Sequence, residues 1–408
     1  MSAALRILHV SPYSPEAWAY GGIPRVVSAL TCGLVTRGHK VTLCATDVLD
    51  ATRRLGPAGR GVRRSPLPPR VVDGVEWRIF PNLSNRAAYQ YQAFAPLGLR
   101  KYLAANASSF DIAHLHACHN VPGILAARAL SQAGVPWVVS PNGTAPIFER
   151  RLLEKRVLQQ LGGDRVLRDA RFVLAVSQAE ERQLLALGVP AASIRRVPNP
   201  VDTREFFDAR GSYRFANRRG EGPEAEILFI GKITPRKNLD VVVEAFARLT
   251  TVPARLVIAG SNQGGLETAM ARAKALGIES RIDVVGVLPS DRRLQAMANA
   301  DVVVYPSSDE VFGLVACEAL LVGTPVIVGS DSGCAEVVGS CGIAVKPGDA
   351  SALATAMATA LRAPADVKRT RLAGRERILK QFNVRTVVES LDGVYREVLA
   401  SGAERRTA

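Results

Sequence analysis

Two glutamates stand eight residues apart where a strand-like run gives way to a helix-like one. Glu310 precedes the expected start of the helix, and Glu318 lies inside it. The loop between them offers free backbone N–H groups at the positive end of the helix dipole, which suits a phosphate. A carboxylate inside the helix can accept two neighbouring hydroxyls, as on a ribose. The spacing favours a sugar nucleotide, although it also fits a glutamate that simply faces solvent.

Three cations follow the first expected strand in the second half of the chain. Lys232, Arg236 and Lys237 occupy the turn before a helix expected over 239–249. Arg can grip two phosphate oxygens at once, whereas Lys acts as a point charge. The turn therefore suits a diphosphate clamp, with a solvated basic turn as the alternative. A glycine-rich strand exit at 259–265 shapes a base pocket or simply makes a turn.

Two strand exits in the first half of the chain carry further candidates. Gly21 and Gly22 follow the first strand and would allow close approach of a phosphate or sugar, or only form a turn. His114 and His116 end the fourth strand on one face, and His116 has the better position to reach a ligand. A histidine at a strand exit is more often structural than catalytic. No metal-ligand spacing and no Asp-x-Asp element is present, so we expect neither a metal nor a cofactor.

Strand-like and helix-like segments alternate along the chain, which predicts α/β domains with doubly wound parallel sheets. Ligands bind beyond the carboxyl ends of such strands, here in a cleft between two domains. The expected strands are 5–10, 40–45, 75–80, 111–116, 136–140, 172–176, 226–231, 255–259, 282–285, 302–305, 325–328 and 343–345. The expected helices of the first half are 23–37, 97–106, 123–133, 148–162 and 178–187.

The alternation restarts near residue 200, which predicts two domains. We expect an N-terminal domain over 1–200 and a C-terminal domain over 201–380, with a closing helical segment, 381–408, that packs back on the first. The longest irregular stretch, 49–70, is expected to be a mobile loop. No apolar run approaches a membrane span, and the polar start does not resemble a signal peptide, so we expect a cytoplasmic protein. The six scattered cysteines predict buried free thiols.

The net charge of +15 is concentrated in one half. Residues 1–200 carry 25 Lys and Arg against 12 Asp and Glu, and the remainder carries 27 against 25. Such a surface could meet nucleic acid, an anionic membrane leaflet or a phosphorylated substrate, or could merely keep the protein soluble. The basic residues lack the aromatic neighbours of a nucleic-acid-binding module, so we expect no nucleic-acid partner. The two basic clusters are Arg53, Arg54, Arg60, Arg63, Arg64 and Arg70, and Arg150, Arg151, Lys155 and Arg156.

Taken in order, these motifs resemble the family-four retaining glycosyltransferases of GT-B fold, in which two Rossmann-like domains face each other across a cleft. The resemblance covers nearly the whole chain and is most specific at Glu310–Glu318. It implies an acceptor-binding N-terminal domain, a donor-binding C-terminal domain, and no metal. It also implies that Glu310, His116 and Lys237 act at the reacting centre. The implied donor-binding residues are Gly22, Lys232, Arg236, Lys237, Phe312, Gly313, Leu314, Val315 and Glu318.

Two positions depart from the family pattern. Lys232 stands where Arg is usual, so the two-point grip on the diphosphate depends on Arg236. Asn199-Pro200 replaces the usual Asn-Gly at the linker. The resemblance implies that the enzyme transfers a hexosyl group from a nucleotide-diphosphate sugar. Together with the basic first half, it leads us to expect a lipid-linked glycan acceptor in surface polysaccharide synthesis and a protein that binds peripherally to the inner membrane face. The alternatives are a nucleotide-sugar epimerase or another GT-B enzyme, and a basic binding protein.

Overall fold

A computed structural model describes residues 3–56, 65–146, 156–207, 224–250, 252–362 and 364–407. The chain divides into two compact units, Met1–Pro200 with Val384–Ala408, and Val201–Asn383. Each unit is an α/β layer structure built on a mostly parallel sheet, as the alternating sequence pattern predicts.

The first unit contains one sheet with eight strands among the described residues. They are β1 Arg6–Val10, β2 Lys40–Thr46, β3 Arg70–Val72, β4 Val75–Phe80, β5 Ile112–His116, β6 Trp137–Ser140, β7 Phe172–Ala175 and β8 Ile194–Arg196. Its helices are α1 Gly22–Thr36, α2 Asn85–Tyr91, α3 Leu99–Asn106, α4 Val121–Ala133, α5 Asp164–Arg168 and α6 Gln178–Ala186. The order is β3-β4-β2-β1-β5-β6-β7-β8, antiparallel only at β3–β4. The winding direction reverses between β1 and β5.

The second unit contains a six-stranded parallel sheet among the described residues. Its strands are β9 Ala225–Ile230, β10 Ala254–Ala259, β11 Ile282–Gly286, β12 Val302–Tyr305, β13 Val326–Gly329 and β14 Ile343–Val345. Its helices are α7 Leu239–Ala247, α8 Leu266–Ala275, α9 Ser290–Asn299, α10 Leu314–Val322, α11 Gly333–Val338, α12 Ala350–Arg362 and α13 Pro364–Gln381. The order β11-β10-β9-β12-β13-β14 reverses between β9 and β12, where open α/β sheets form their ligand crevice.

The closing helix α14, Val384–Thr407, packs on α1 of the first unit. Gly33 on α1 makes this possible, because a Cβ there would lie 2.7 Å from side-chain carbons of Val384 and Val388. Arg37, at the end of α1, pairs with Asp392 of α14 at 3.2 Å. Helix α14 thus covers one face of the first sheet.

Some expectations differ from the structure. Strands β3 and β8 and helix α2 were not predicted, because elements of three to seven residues carry too little periodicity to be detected. Residues 57–64 of the expected loop 49–70, most of the expected helix 148–162, and Arg60, Arg63, Arg64, Arg150, Arg151 and Lys155 lie outside the described residues. All six cysteines are free and five are buried, as predicted. Across the described residues, no helix is both long enough and apolar enough to cross a bilayer.

Candidate functional site

Two loops meet at the switch point of the second sheet. One follows β9 and contains Lys237, and the other follows β12 and contains Glu310. Lys237 is only 7% exposed, and its Nζ donates hydrogen bonds to Glu310 Oε2 and to the hydroxyl of Tyr305. The Tyr305 hydroxyl donates to the same Glu310 oxygen at 3.0 Å. The structure therefore joins two predicted site residues that are 73 positions apart.

The charge state of this cluster follows from its contacts. Burial alone would raise the pKa of Glu310, but the charge and hydrogen bond of Lys237, with the Tyr305 hydroxyl, lower it to about 2. Burial raises the pKa of Tyr305 well above its usual value, so it remains a neutral donor. An ionised Glu310 cannot serve as an acid near neutral pH, but it can accept hydrogen bonds from hydroxyl groups.

The N-terminus of α10 lies directly after this loop. Gly313 precedes the helix with φ +77°, and a Cβ there would collide with Sγ of Cys334, so glycine is required. Among the described residues no side chain caps the helix, which leaves backbone N–H groups of its first turn, including those of Leu314 and Val315, to other acceptors. Phe312 is buried and packs edge-on against Phe382 at 5.5 Å. It can therefore offer a ligand its backbone but not its ring.

Glu318 lies in the second turn of α10 and is 2% exposed. Its carboxylate forms an ion pair with Arg293 of α9. Arg293 also lies 3.5 Å from Glu205, so it bridges two carboxylates. Sequence reasoning missed Arg293, because an arginine in a polar helix has the same pattern as a solvated one. A buried carboxylate with a guanidinium partner can remain ionised and accept a pair of hydroxyls.

The remaining predicted residues of the second unit frame this cluster. Lys232 and Arg236 are half-buried on the loop after β9. The backbone oxygen of Arg236 accepts a hydrogen bond from Ser308 at 2.9 Å. The amide of Asn238 donates to the backbone oxygen of Pro306 at 2.8 Å. These bonds fasten the loop after β9 to the loop after β12.

The first unit carries a different cluster at its own switch point. Gly22 is exposed at the start of α1, which no side chain of the described part of the chain caps. His116 ends β5 and is 1% exposed, and its Nε2 lies 2.9 Å from Nδ1 of His9 on β1. Sequence reasoning missed His9, because a single histidine in an apolar strand gives no signal of its partners. Since the ring of His116 is buried, its assignment to the reacting centre stays a prediction.

His9, His114 and His116 also form the group among the described residues whose nitrogen atoms could hold a metal, since these atoms lie within 4.8 Å of one another. Both nitrogens of His114 are already bonded, to the Tyr395 hydroxyl and to Ser140 Oγ, each at 2.8 Å. Burial lowers the pKa of His116 to about 3, and lowers those of His9 and His114 well below the usual value. Because both nitrogens of His114 already have hydrogen-bond partners, the contacts fit a hydrogen-bonded cluster of neutral rings better than a set of metal ligands.

Comparison with known families matches both halves of the chain. Residues 213–377 match the model of glycosyl transferases group 1, and residues 21–200 match the glycosyl transferase 4-like domain. A D-inositol 3-phosphate glycosyltransferase of Acidothermus cellulolyticus is 30% identical over 99% of this chain and 91% of its own length. A glycogen synthase of Mycobacterium tuberculosis is 26% identical, covering 96% of this chain and 94% of that protein.

Solved structures agree on the fold. Sucrose-phosphate synthase from Thermosynechococcus elongatus has a TM-score of 0.73 at 21% identity, covering 97% of this chain and all of that one. Anabaena HepE in complex with UDP and glucose has a TM-score of 0.71 at 18% identity, covering 96% of this chain and all of that one. These likenesses confirm the expected GT-B class of two Rossmann-like domains.

Proposed function

We propose, from the premise that this chain belongs to the group 1 glycosyltransferases, that it transfers a hexosyl group from a nucleotide-diphosphate sugar with retention of configuration. The observation that carries the proposal is the uncapped N-terminus of α10, flanked by the Lys237–Glu310 pair and by Glu318. The second unit, Val201–Asn383, is the donor-binding domain. In it Glu318 binds the ribose hydroxyls, and the backbone of Phe312, Gly313, Leu314 and Val315 binds the diphosphate.

The chemistry places negative charge on the leaving diphosphate and positive charge on the anomeric carbon. Lys237, with Lys232 and Arg236, stabilises the leaving oxygens, and the helix dipole adds to this. Glu310 accepts a donor-sugar hydroxyl, which its ionised state supports. The anomeric C–O bond to the diphosphate breaks, the acceptor oxygen bonds the same carbon on the same face, and the acceptor proton passes to a leaving phosphate oxygen. This course requires no carboxylate nucleophile.

The acceptor binds the first unit, whose residues 1–200 carry most of the net charge. We propose a lipid-linked glycan at an anionic leaflet, in surface polysaccharide synthesis, because each basic residue near such a surface contributes on the order of 1 kcal/mol. Gly22 and His116 lie at the strand exits of this unit and would contact the donor sugar.

A second candidate acceptor is a small phosphorylated polyol. Two observations favour it. Arg54 and Arg70 of the first basic cluster are already paired with Asp47 at 3.0 Å and Glu16 at 2.8 Å, which lowers the charge offered to a membrane. The relative of 30% identity is named for D-inositol 3-phosphate.

A two-stage assay tests the proposal. UDP-, GDP- and ADP-sugars are first screened by calorimetry, and the best donor is then offered to lipid-linked and inositol phosphate acceptors with and without EDTA. We expect an α-linked product from an α-configured donor by NMR, at equal rates with EDTA. An inverted product or a rate restored only by magnesium would contradict this mechanism. Co-sedimentation with anionic but not neutral liposomes, weakened by salt, supports the lipid-linked acceptor, and its absence favours the polyol.

A further inference from the structure

The imidazole cluster, His9, His114, His116 and Tyr395, lies where the winding of the first sheet reverses. His9 on β1 stands directly beside His114 on β5 in the strand register. Tyr395 comes from α14, and the four side chains are at most 1% exposed. Every ring nitrogen in the cluster has a polar partner within 3.5 Å except Nδ1 of His116, which has no hydrogen-bond partner among the described residues.

The contacts of the cluster, together with the unpartnered Nδ1 of His116, determine where the protons sit. A neutral imidazole has one N–H and one bare nitrogen, and the choice follows from the hydrogen-bond network. The Tyr395 hydroxyl has one proton and two acceptor candidates, Nδ1 of His114 at 2.8 Å and Nε2 of His9 at 3.5 Å. Either ring can take this proton while the other donates to the hydroxyl oxygen, so the distances alone do not choose between them. If the proton went to His9, the same contacts would leave an N–H on the buried Nδ1 of His116, where no described residue accepts it. A buried donor without an acceptor is rarer than an under-satisfied acceptor, so the proton goes to His114. His114 Nδ1 is therefore bare, and its Nε2–H donates to Ser140.

The remaining protons follow in turn. Since the Tyr395 proton points to His114, the Tyr395 oxygen can only accept from His9, which places the His9 proton on Nε2. His9 Nδ1 is then bare and accepts the proton of His116 Nε2 across 2.9 Å. His116 is left with a bare, buried Nδ1. A bare nitrogen accepts a hydrogen bond from a hydroxyl but repels a phosphate or carboxylate oxygen.

We propose that His9 is a positioning residue that holds His116 in the Nε2–H tautomer, so that His116 Nδ1 accepts a hydrogen bond from a hydroxyl of the transferred sugar. The inference rests on the proposed placement of His116 at the donor sugar. Tyr395 and His114 act one step further away, by fixing the tautomer of His9. Because Nδ1 is buried, a neighbouring side chain or loop must give way when the sugar binds.

The tautomer can be measured on the intact free protein. Nitrogen NMR of ¹⁵N-histidine-labelled chain separates bare from protonated ring nitrogens, and His116→Gln identifies the His116 signals. We expect Nε2–H and bare Nδ1 in the unaltered protein and a mixture of tautomers in His9→Leu. His9→Asn should restore the single tautomer, because its amide oxygen can replace the Nδ1 acceptor. A protonated Nδ1, or a His116 spectrum unaffected by His9→Leu, would overturn the inference.

Kinetics test the consequence for the sugar. His9→Leu should lower kcat/KM roughly 10- to 100-fold, the range for one displaced buried hydrogen bond, and His9→Asn should recover most of it. Binding of the nucleoside diphosphate without sugar should be unchanged. The matched control is His39→Leu, since His39 is also buried in the first unit but contacts Leu5 and Asp392 instead of the cluster. An equal loss of kcat/KM in His39→Leu would reduce His9 to general structural support.

Two further outcomes separate the inference from the proposed function. The NMR experiment needs no substrate, so its failure overturns the role of His9 even if hexosyl transfer is demonstrated. If the unaltered protein shows the expected His116 tautomer but the His116→Gln variant keeps full activity, the proposed contact with a sugar hydroxyl is overturned. The proposed donor site of the second unit would be unaffected by that result. One equivalent of zinc in the purified protein, with all three ring signals shifting upon chelation, would identify the cluster as a metal site and overturn the proposed role of His9.

Discussion

The two units place polar clusters at equivalent points of their sheets but build them from opposite kinds of groups. The second unit uses ion pairs, Lys237 with Glu310 and Arg293 with Glu318. The first unit uses neutral rings, and all five histidines of the chain lie in its sequence. Ion pairs suit a ligand that carries charge, such as a diphosphate, whereas neutral rings suit hydroxyl groups. The same sheet topology can therefore suit chemically different ligand groups through side-chain charge alone.

Acid should separate the two units most strongly. The pKa values of His9, His114 and His116 are lowered by burial, so their contribution to stability is complete above pH 6.5 and declines as the pH falls toward about 3 for His116. Each histidine then removes up to about 1.4 kcal/mol per pH unit. Glu310, with its pKa lowered to about 2, keeps its full contribution until the pH falls below about 4.5.

The tryptophans make this measurable, because Trp18, Trp77 and Trp137 all belong to the first unit. Tryptophan fluorescence during urea unfolding should show a large loss of stability between pH 7 and 5. Hydrogen exchange in β9 and β12, corrected for intrinsic rates, should change little over that range. His114→Gln should reduce the fluorescence-detected pH dependence by about a quarter, because burial also lowers the pKa of His39 and so makes four titrating rings in this unit. Equal losses of stability in both units between pH 7 and 5 would contradict the proposed difference in their response to acid.

Arg293→Met should produce the next largest effect, on stability. It leaves the buried carboxylate of Glu318 without its counter-charge, a change that typically costs about 3–5 kcal/mol. Urea unfolding measures the loss, and adding Glu318→Gln to the same variant should recover most of it. Arg292→Met on the same helix is the matched control, because Arg292 is exposed. A similar loss in the control would show that α9 is sensitive to any arginine removal.

Lys237→Met should lower kcat roughly 100- to 1000-fold, the usual effect of removing a group that stabilises developing negative charge. Donor affinity should fall less, because the charge on the leaving oxygens grows toward the transition state. Stopped-flow or single-turnover kinetics separates the two quantities. The double variant Lys237→Met with Glu310→Gln removes the unpaired carboxylate and should fold normally while remaining slow. Equal losses in affinity and turnover would identify Lys237 as a ground-state binding residue.

Glu318→Gln should give the smallest of these effects, a loss of about 1.5–3 kcal/mol in donor binding, because the ribose hydroxyls lose a charged acceptor. Calorimetry with ribo- and 2′-deoxyribonucleotides provides the control within one experiment. The unaltered protein should prefer the ribonucleotide, and the variant should lose that preference. A preference that survives would assign the ribose to another group.

Continuous and alternating apolar runs made the fold predictable. Strands Val75–Phe80, Val302–Tyr305 and Ile343–Val345 coincide with their expected ranges residue for residue. Val302–Tyr305 has an apolar sequence throughout because it is a parallel strand covered on both faces. In Val75–Phe80, Glu76 and Arg78 alternate with buried apolar residues, which is the period of a half-buried strand. Strand β3 escaped prediction because its three residues are partly exposed and pair antiparallel with β4. A strand of that length is defined by its partner more than by its own residues.

The sequence predicted which loops form the candidate site, but not which side chains contact each other within it. Strand order explains why Lys237 and Glu310 lie on neighbouring loops, since β9 and β12 are adjacent in the sheet. Their direct contact depends on side-chain packing that spacing does not contain. His9 and Arg293 were missed for the same reason: each gains its role from a partner on another element. An isolated histidine or arginine has no periodic signal.

Helix α14 also imposes an order on the making of the protein. Tyr395, which completes the buried cluster around His114, is 281 positions downstream of it. The ribosome must add the whole of Val201–Asn383 before this helix begins, roughly 10–40 s at ordinary elongation rates. During that interval the nascent first unit exposes the face of α1 around Gly33, and His114 lacks its Tyr395 partner, while the second unit can already fold. A chain that terminates early would carry a finished second unit and an uncovered first one, a state that chaperones and proteases recognise.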